Sequence, residues 1–440
     1  MPGAHEAVPG FSFFLPVRPL ACGILNYMRL WRVSKTRARR RERLKFHATL
    51  RFPKGFLWGT ATSAYQVEGG NAGSDWWAFT CRGQSPARCG EMADHYRRWR
   101  SDVGLQQRLH QTASRLSLEW SRLEPRPGEY DSAAVRHYRA ELTALRAAGI
   151  TPVVTPHHFS NPAWLAAQGG WARGQAVEPF RRYVAFCVER FGDLVPMWVT
   201  VNEPLVYATQ AYVLGNWPPH WRSHLRALRV YLNLAEAHRV AYRVIHRGYR
   251  QHGWRRPQVG IACSAVSLYP YARHSFLAWL FILVADWLWN HSFFTLTRPR
   301  THDFIGVNYY FHYRLWRPRF DPIRFFLEAR TEHREMSSVG WEVYPQGIFD
   351  VLLDLRKYRR PIYVTENGIA TTNESKRSRY LIAYLKEVYH AIQAGVDVRG
   401  YFYWSLVDNY EWEKGLHPRF GLAGVNYRSQ RRTPRPAARL

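Results

Sequence analysis

Short apolar runs alternate with longer helical stretches along the chain from about residue 52. Eight runs have the length and character of strands: residues 56–60, 112–117, 151–155, 197–201, 259–263, 304–308, 362–365 and 400–404. Residues 132–147, 179–191, 225–246 and 377–394 have helical character, and the last two stretches carry apolar residues at three- and four-residue intervals. This alternation predicts an α/β fold, a single-domain (β/α)8 TIM barrel.

A doubly wound sheet is the rival architecture for alternating strands and helices. Such a sheet commonly places a glycine-rich phosphate loop after its first strand. Here the first strand runs through Gly59-Thr60-Ala61-Thr62 into Ser63-Ala64-Tyr65-Gln66, which has neither GxGxxG nor GxxxxGK spacing. The barrel is therefore favoured, and nothing indicates a nucleotide cofactor.

The two ends of the chain differ from the rest. Residues 1–50 combine two apolar patches with a basic run between Lys35 and Lys45, and we expect a poorly ordered basic extension before a barrel at residues 51–440. The sequence stops soon after the eighth strand, so we expect a truncated last helix. A missing helix would expose the flank of strands one and eight, and our hypothesis is that apolar residues between 11 and 31 cover it.

The chain is strongly basic, with 62 Lys and Arg against 33 Asp and Glu and a formal charge of +29. This excess permits binding to polyanions or anionic membranes. The arginines are scattered, however, and no nucleic-acid-binding motif is visible, so we expect a solvated basic surface and no specific nucleic-acid partner. Residues 276–289 are too short to span a bilayer and are predicted to form a buried amphipathic helix.

Five cysteines, an odd number without a C-x-x-C pair, indicate neither a disulfide framework nor a zinc site. A reducing, cytoplasmic location is the expectation, although Cys81 and Cys89 could pair locally. The oligomeric state is not predicted by any feature of the sequence.

Two carboxylates directly follow predicted strands. Glu203 lies in Thr200-Val201-Asn202-Glu203-Pro204, and Glu366 lies in Val364-Thr365-Glu366-Asn367-Gly368. The carboxyl ends of barrel strands meet at one mouth, so both side chains should point into it. Hydrolysis of a glycoside with retention needs two carboxyl groups about 5–5.5 Å apart. Either glutamate alone is weak evidence, because exposed loops commonly carry Glu.

Five motifs together resemble glycoside hydrolase family 1, in order from about residue 52 to 435. They are Phe56-Leu57-Trp58-Gly59-Thr60-Ala61-Thr62-Ser63-Ala64-Tyr65-Gln66-Val67-Glu68-Gly69, Arg115-Leu116-Ser117-Leu118-Glu119-Trp120-Ser121-Arg122, Asn202-Glu203-Pro204, Thr365-Glu366-Asn367-Gly368 and Trp404-Ser405-Leu406-Val407-Asp408-Asn409-Tyr410-Glu411-Trp412. The resemblance implies a retaining β-glycosidase in which Glu366 is the nucleophile and Glu203 the general acid/base. The chemistry asks for a low pKa at the nucleophile and a raised pKa at the acid.

The same resemblance implies the remaining site residues. Arg115 and Tyr310 match positions that contact the nucleophile, although a structural ion pair and core packing are the plain alternatives. The expected substrate-binding residues are Gln66, His158, Asn202, Asn308, Tyr310, Trp404, Glu411, Trp412 and Phe420. His157 is expected to be structural, and no metal or cofactor is expected.

The expected substrate is a small β-glycoside or an oligosaccharide. The resemblance implies hydrolysis of terminal non-reducing β-D-glucosyl residues, with galactosyl and fucosyl residues left open, and a carboxylate at Glu411 would repel a 6-phosphate. The competing hypothesis is a catalytically impaired sugar-binding relative with the same barrel. Its signature would be the loss of one catalytic glutamate, whereas both are present here.

Overall fold

The computed structural model describes residues 50–83, 90, 92–270, 276–315 and 334–440. Eight parallel strands close into a barrel in sequence order, and the last strand pairs with the first from Leu57↔Gly400 to Ala61↔Trp404. The strands are β1 (Leu57–Ala61), β2 (Ala113–Ser117), β3 (Thr151–Thr155), β4 (Met197–Asn202), β5 (Gln258–Pro270), β6 (Phe304–Leu315), β7 (Ile362–Asn367) and β8 (Val398–Trp404). The predicted (β/α)8 architecture is confirmed.

Helices lie around the barrel and in the loops at its mouth. They are α1 (Ala64–Glu68), α2 (Asp75–Cys81), α3 (His95–Arg108), α4 (Trp120–Leu123), α5 (Ser132–Ala147), α6 (Ala163–Ala167), α7 (Val177–Phe191), α8 (Pro204–Thr209), α9 (His224–Gln251), α10 (Phe276–Asp286), α11 (Ser292–Thr297), α12 (Pro345–Leu355) and α13 (Glu374–Gln393). The Asp131 carboxylate caps the start of α5 by accepting from two backbone N–H groups, which explains why that helix begins at Ser132.

Two strands and one helix differ from the sequence prediction. Strands β5 and β6 are longer than expected, because beyond a bulge they continue as a parallel ladder from Ser267↔His312 to Pro270↔Leu315. The helix predicted to be buried at residues 276–289 is helical but not fully buried, since Val284 and Trp287 are about half exposed. Apolar residues lie on all sides of this helix, so it is not amphipathic as predicted. The side that does not pack against the barrel is therefore also apolar.

The region after β8 contains no α-helix in the described part of the chain. A loop is followed by a hairpin of β9 (Ala423–Asn426) and β10 (Arg431–Pro434) and by a 3-10 turn at Pro436–Arg439. A groove of about 480 Å³ lies on the flank of β1 and β8. Its apolar lining includes Leu50, Phe52, Trp58, Leu381, Ile382, Leu422 and Leu440. The segment hypothesised to cover it, residues 11–31, lies outside the described residues, as does nearly all of the predicted extension.

Arg377, on α13, joins two loops at the barrel mouth although its side chain is fully buried. Its guanidinium donates to the carbonyl oxygens of Ile369 and Thr371 after β7, and to those of Arg419 and Phe420 after β8. A planar group with five donors suits this task better than an ammonium would. The loop that follows Glu366 is thereby fixed relative to the loop that carries Phe420.

The described residues also bear on the predictions about membrane spans and cysteine pairing. Within the described residues, no helix is both long enough and apolar enough to cross a membrane. Cys187 and Cys263 are free thiols, whereas Cys81 is in a disulfide. Cys89, its proposed local partner, lies outside the described residues.

If residues 11–31 cover the groove, deletion of residues 1–45 should lower the melting temperature by about 2 °C or more, because the apolar lining would become exposed. Thermal unfolding of the two chains followed by circular dichroism measures the shift. Deletion of residues 1–10 alone, which removes no residue of the 11–31 segment, is the control. An unchanged melting temperature after the longer deletion would disprove the hypothesis.

We expect Arg377→Met to lower the free energy of unfolding by at least about 3 kcal/mol, because several buried carbonyl groups lose their donor. Urea unfolding measures the change. Arg379→Met, three-fifths exposed on the same helix and paired with Glu335, should cost less than about 1 kcal/mol. Equal losses in the two variants would show that the buried hydrogen bonds do not stabilise the loops.

Candidate active site

Glu203 lies where β4 ends and α8 begins. Its backbone has φ 42° and ψ 61°, a left-handed conformation, and Pro204 starts the helix that follows. Its N–H donates to the Ala262 carbonyl oxygen on β5 at 2.8 Å, which holds the turn against the neighbouring strand. Non-glycine residues in this region of backbone space are uncommon and concentrate at functional sites. The turn presents a buried carboxyl group to the barrel mouth.

Glu366, near the end of β7, is held by two donors. Nη1 of Arg115, a fully buried residue on β2, contacts one carboxylate oxygen, and the Tyr310 hydroxyl donates to the other at 2.7 Å. The expectation that both residues contact Glu366 is therefore correct in geometry. A charged and a neutral donor, one on each oxygen, orient the carboxylate and favour its ionised form.

Two asparagines connect the carboxyl groups. Nη2 of Arg115 donates to Asn202 Oδ1 at 2.7 Å, and Asn308 Nδ2 donates to Glu203 Oε1 at 2.9 Å and lies 3.1 Å from Asn202 Oδ1. Glu203 thus receives a neutral amide donor, whereas Glu366 receives a cation. The two carboxyl groups therefore occupy unlike environments within one hydrogen-bonded network.

The pKa values only partly follow the sequence expectation. Burial, followed by the nearby negative charge of Glu366, raises the pKa of Glu203 to about 8, as expected for an acid. Burial also raises the pKa of Glu366, although Arg115 and Tyr310 oppose the increase, so the expected low pKa is wrong. The reason is that the Glu366 carboxyl group is buried, and desolvation disfavours its charged form.

The polar side of the mouth is built around Gln66 and Glu411. Gln66 is fixed by the Ser63 hydroxyl, which donates to its Oε1 at 2.8 Å, and its Nε2 donates to the Tyr410 carbonyl oxygen at 2.7 Å. Glu411 Oε2 lies 3.4 Å from the same amide nitrogen. Burial, with the charges of Glu413 and Glu366, raises the pKa of Glu411 to about 8, which weakens the expected charge repulsion of a 6-phosphate.

His158 lies next to this polar side as a neutral imidazole. Burial and the charge of Arg115 lower its pKa well below the usual range. Nε2 faces the amide nitrogen of Asn202 at 3.2 Å, while buried Nδ1 has no hydrogen-bond partner among the described residues. An unpaired buried polar atom costs about 1–3 kcal/mol, so a ligand hydroxyl would satisfy it. His157 instead packs beside Asn161 and Trp171, which supports its structural assignment.

Aromatic rings enclose the mouth. Trp404, at the end of β8, lies nearly parallel to His158, with 5.9 Å between the ring centroids. Trp412, on the following loop, has its ring centroid 6.2 Å from that of His158. Phe420 packs edge-on against Tyr310 at 6.2 Å. Flat apolar faces beside polar groups are suited to a sugar ring, which has C–H faces and an edge of hydroxyls.

Sequence reasoning missed two residues of the site. Trp341 packs against Tyr310 at 5.2 Å and against Phe420 at 6.0 Å, so it extends the aromatic wall. Thr365 donates its hydroxyl to Asn308 Oδ1 at 2.7 Å and thereby fixes which way that amide points. Thr365 was visible beside Glu366 in its motif, whereas no local pattern singled out Trp341.

A cluster of potential metal ligands lies away from the mouth, at Asp286, His291 and Asp354. Burial lowers the pKa of His291, but hydrogen bonds to the two aspartates outweigh this effect and raise the pKa to about 9. Nε2 of His291 contacts both aspartates, and the Lys357 ammonium lies 3.2 Å from the same nitrogen. A charged imidazole beside a lysine describes an ion-pair network better than a metal site.

Comparison with known proteins gives consistent matches. The family model described as Glycosyl hydrolase family 1 matches residues 48–277 and 295–440. Beta-glucosidase A of Thermotoga maritima is 31% identical over 87% of this chain and 95% of its own length. A solved beta-glycosidase from Pyrococcus horikoshii superposes with a TM-score of 0.83 at 37% identity, covering 89% of this chain and 94% of that one. A solved Thermotoga maritima beta-glucosidase in complex with deoxynojirimycin has a TM-score of 0.80 at 29% identity, covering 89% of this chain and 97% of that one.

We expect Glu203→Gln to stabilise the fold at neutral and alkaline pH. A carboxyl group whose pKa is about 8 when folded and about 4.3 when unfolded contributes stability that is complete below pH 4 and is lost as the pH rises towards 8. The variant, which cannot ionise, should gain about 1 kcal/mol per pH unit across this window relative to the parent. Urea unfolding at pH 5, 6, 7 and 8 measures the difference.

Glu189→Gln, on the exposed face of α7, is the matched control and should give the same stability difference at every pH. A Glu203→Gln difference that does not change with pH would mean that Glu203 is ionised in the folded protein throughout this range.

Proposed function

Because the chain belongs to glycosyl hydrolase family 1 and is a retaining O-glycosyl hydrolase of the β-glucosidase type, we propose that Glu366 is its nucleophile and Glu203 its general acid/base. The observation that carries this assignment is the asymmetry of their partners. Arg115 and Tyr310 both donate to Glu366, whereas the only side-chain donor to Glu203 among the described residues is the Asn308 amide. The carboxyl group beside the cation ionises more readily, and the other keeps its proton.

The first step forms a covalent glycosyl-enzyme. The Glu366 carboxylate attacks the anomeric carbon while the Glu203 carboxyl group gives its proton to the departing glycosidic oxygen. A pKa of about 8 keeps Glu203 protonated at neutral pH, which suits this role. The Arg115 guanidinium then faces a developing ester in place of a carboxylate.

The second step returns both groups to their starting forms. Ester formation removes the negative charge of Glu366, and that charge is one cause of the raised pKa of Glu203. The pKa of Glu203 therefore falls in the intermediate, and its carboxylate can take a proton from an incoming water, which attacks the anomeric carbon. Where another alcohol outcompetes water, the product is a new glycoside.

Four neighbours prepare these steps without exchanging protons. Arg115 and Tyr310 orient the Glu366 carboxylate and favour its ionisation, and Asn202 would donate to the sugar 2-hydroxyl. That contact strengthens as the ring approaches the transition state. Asn308 fixes the position of Glu203 through its hydrogen bond of 2.9 Å.

The proposed substrate is a small β-glycoside or oligosaccharide with a terminal non-reducing β-D-glucosyl residue, and galactosyl and fucosyl residues are to be tested beside it. Gln66, His158 and Glu411 would hold the ring hydroxyls, while the faces of Trp404 and Trp412, with Phe420, would enclose the ring. The unpaired Nδ1 of His158 supports this arrangement, since a sugar hydroxyl can accept from it or donate to it.

The impaired sugar-binding relative is not favoured. Such a protein would tolerate loss of the donors to Glu366, yet Arg115, Tyr310 and both glutamates are present and in contact with their partners. The cytoplasmic location stays a prediction, supported by the free thiols of Cys187 and Cys263 and opposed by the disulfide at Cys81.

We expect Glu366→Ala to lower the rate on 4-nitrophenyl β-D-glucoside about 10⁴-fold or more, because no covalent intermediate can form. Added azide should restore turnover by attacking from the vacated side, and the product should be the α-glycosyl azide. Initial rates on the β-D-glucoside and β-D-galactoside, with product analysis by NMR, make the measurement.

Glu203→Ala is the matched control, because azide should then intercept the glycosyl-enzyme and give the β-glycosyl azide. If Glu366→Ala gave the β-glycosyl azide and Glu203→Ala gave the α-glycosyl azide, the proposed roles of the two glutamates would have to be exchanged. An intact, folded chain that hydrolysed no β-glycoside would move the sugar-binding relative to first place.

A further inference from the structure

Helix α9 presents a long outer face to solvent. It spans His224–Gln251, 28 residues, which corresponds to about 42 Å. Its inner face, which includes Val230, Leu234 and Ala241, is buried against the barrel. The opposite face is therefore a rigid, straight surface that the barrel itself does not use.

The first half of this outer face is apolar. Leu225, Leu228 and Leu232 are 75%, 53% and 43% exposed. Spacings of three and four residues place the three side chains along one line of the helix. Single exposed leucines are ordinary, but a line of three on one helix indicates a surface that binds something.

The second half of the same line is cationic. Steps of three and four residues from Leu232 lead through Glu236 to Arg239, Arg243, Arg247 and Arg250. Glu236 contacts both Arg239 and Arg243. Arg247 and Arg250 have no carboxylate partner among the described residues, and they line a groove of about 820 Å³ that also includes Arg181 and Arg256.

We propose that the outer face of α9 docks on the surface of an anionic phospholipid bilayer. The leucines enter the boundary between headgroups and acyl chains, while Arg247 and Arg250 bind the lipid phosphates. Apolar side chains and basic side chains on one exposed helix are the combination that interfacial binding requires. The formal charge of +29 adds long-range attraction to such a surface.

Other partners fit this face less well. A nucleic acid would neutralise the arginines but leave the leucine line in water. A second copy of the chain in parallel alignment would bring like charges together, because the same unpaired arginines would face each other. A lipid surface satisfies both halves of the face, and it requires no membrane-crossing helix.

Sedimentation of the full chain with vesicles tests the proposal. We use phosphatidylcholine alone and phosphatidylcholine with about one third phosphatidylglycerol, at low salt and at high salt. We expect the chain to bind the anionic vesicles and not the neutral ones, and the binding to weaken with salt. The triple variant Leu225→Ser/Leu228→Ser/Leu232→Ser and the double variant Arg247→Gln/Arg250→Gln should each lower the partition coefficient about tenfold or more.

Matched controls use residues away from α9. Arg97→Gln/Arg126→Gln removes the same charge from two highly exposed arginines, and Val284→Ser removes an exposed apolar side chain from α10. Both should keep vesicle binding, and all variants should hydrolyse 4-nitrophenyl β-D-glucoside at the parental rate, which shows that they are folded.

Three results would overturn the proposal. The first is no binding to anionic vesicles. The second is equal binding by the parent and both α9 variants, which would place the attraction elsewhere, for example in the basic run between Lys35 and Lys45. The third is a leucine variant that binds vesicles normally while the arginine variant loses binding to vesicles and to duplex DNA alike, which would indicate a general polyanion surface.

Discussion

The Arg115 guanidinium has no exposed surface, yet it lies at the centre of a mouth that also contains three buried or half-buried carboxyl groups. Its two terminal nitrogens divide between Glu366 and the Asn202 oxygen, so one cation sets the ionisation of one acid and the position of the amide beside the other. A buried charge of this kind is tolerated only when its partners are present, and loss of one partner typically costs 3–5 kcal/mol. In the proposed assignment, the separation of two chemically identical side chains into unlike roles depends on this contact.

The barrel supplies what that contact needs. Arg115, Asn202 and Glu366 come from strands β2, β4 and β7, which are distant in sequence and meet because a closed parallel sheet brings its strand ends to one rim. The loops that complete the mouth are less regular, and Arg377 joins two of them through backbone carbonyl groups. Strands therefore position the proposed reacting groups, and a buried, hydrogen-bonded arginine positions part of the wall of the mouth.

Much of this could be predicted from the sequence, for identifiable reasons. Strand β3 was placed at its observed bounds, and helix α5 likewise, because an apolar period ends at clear capping or turn residues. Glu203 and Glu366 could be identified because both lie at the carboxyl ends of strands and in distinctive motifs. The extended ladder of β5 and β6 could not be predicted in this way, since it depends on pairing between residues about 45 apart in sequence. Trp341 was missed because only tertiary packing brings it to Tyr310, and the raised pKa of Glu366 depends on burial that no motif encodes.

The most direct test of the account is to identify the residue that becomes covalently linked to the sugar. The chain is incubated with 2,4-dinitrophenyl 2-deoxy-2-fluoro-β-D-glucoside, whose fluorine slows the breakdown of a glycosyl-enzyme, and the intact mass and the peptide masses are then measured. The account predicts one added fluoroglucosyl group per chain, on the peptide that contains Glu366. An adduct on Glu203 or Glu411 would contradict it, and so would turnover of the reagent by an active chain without any adduct.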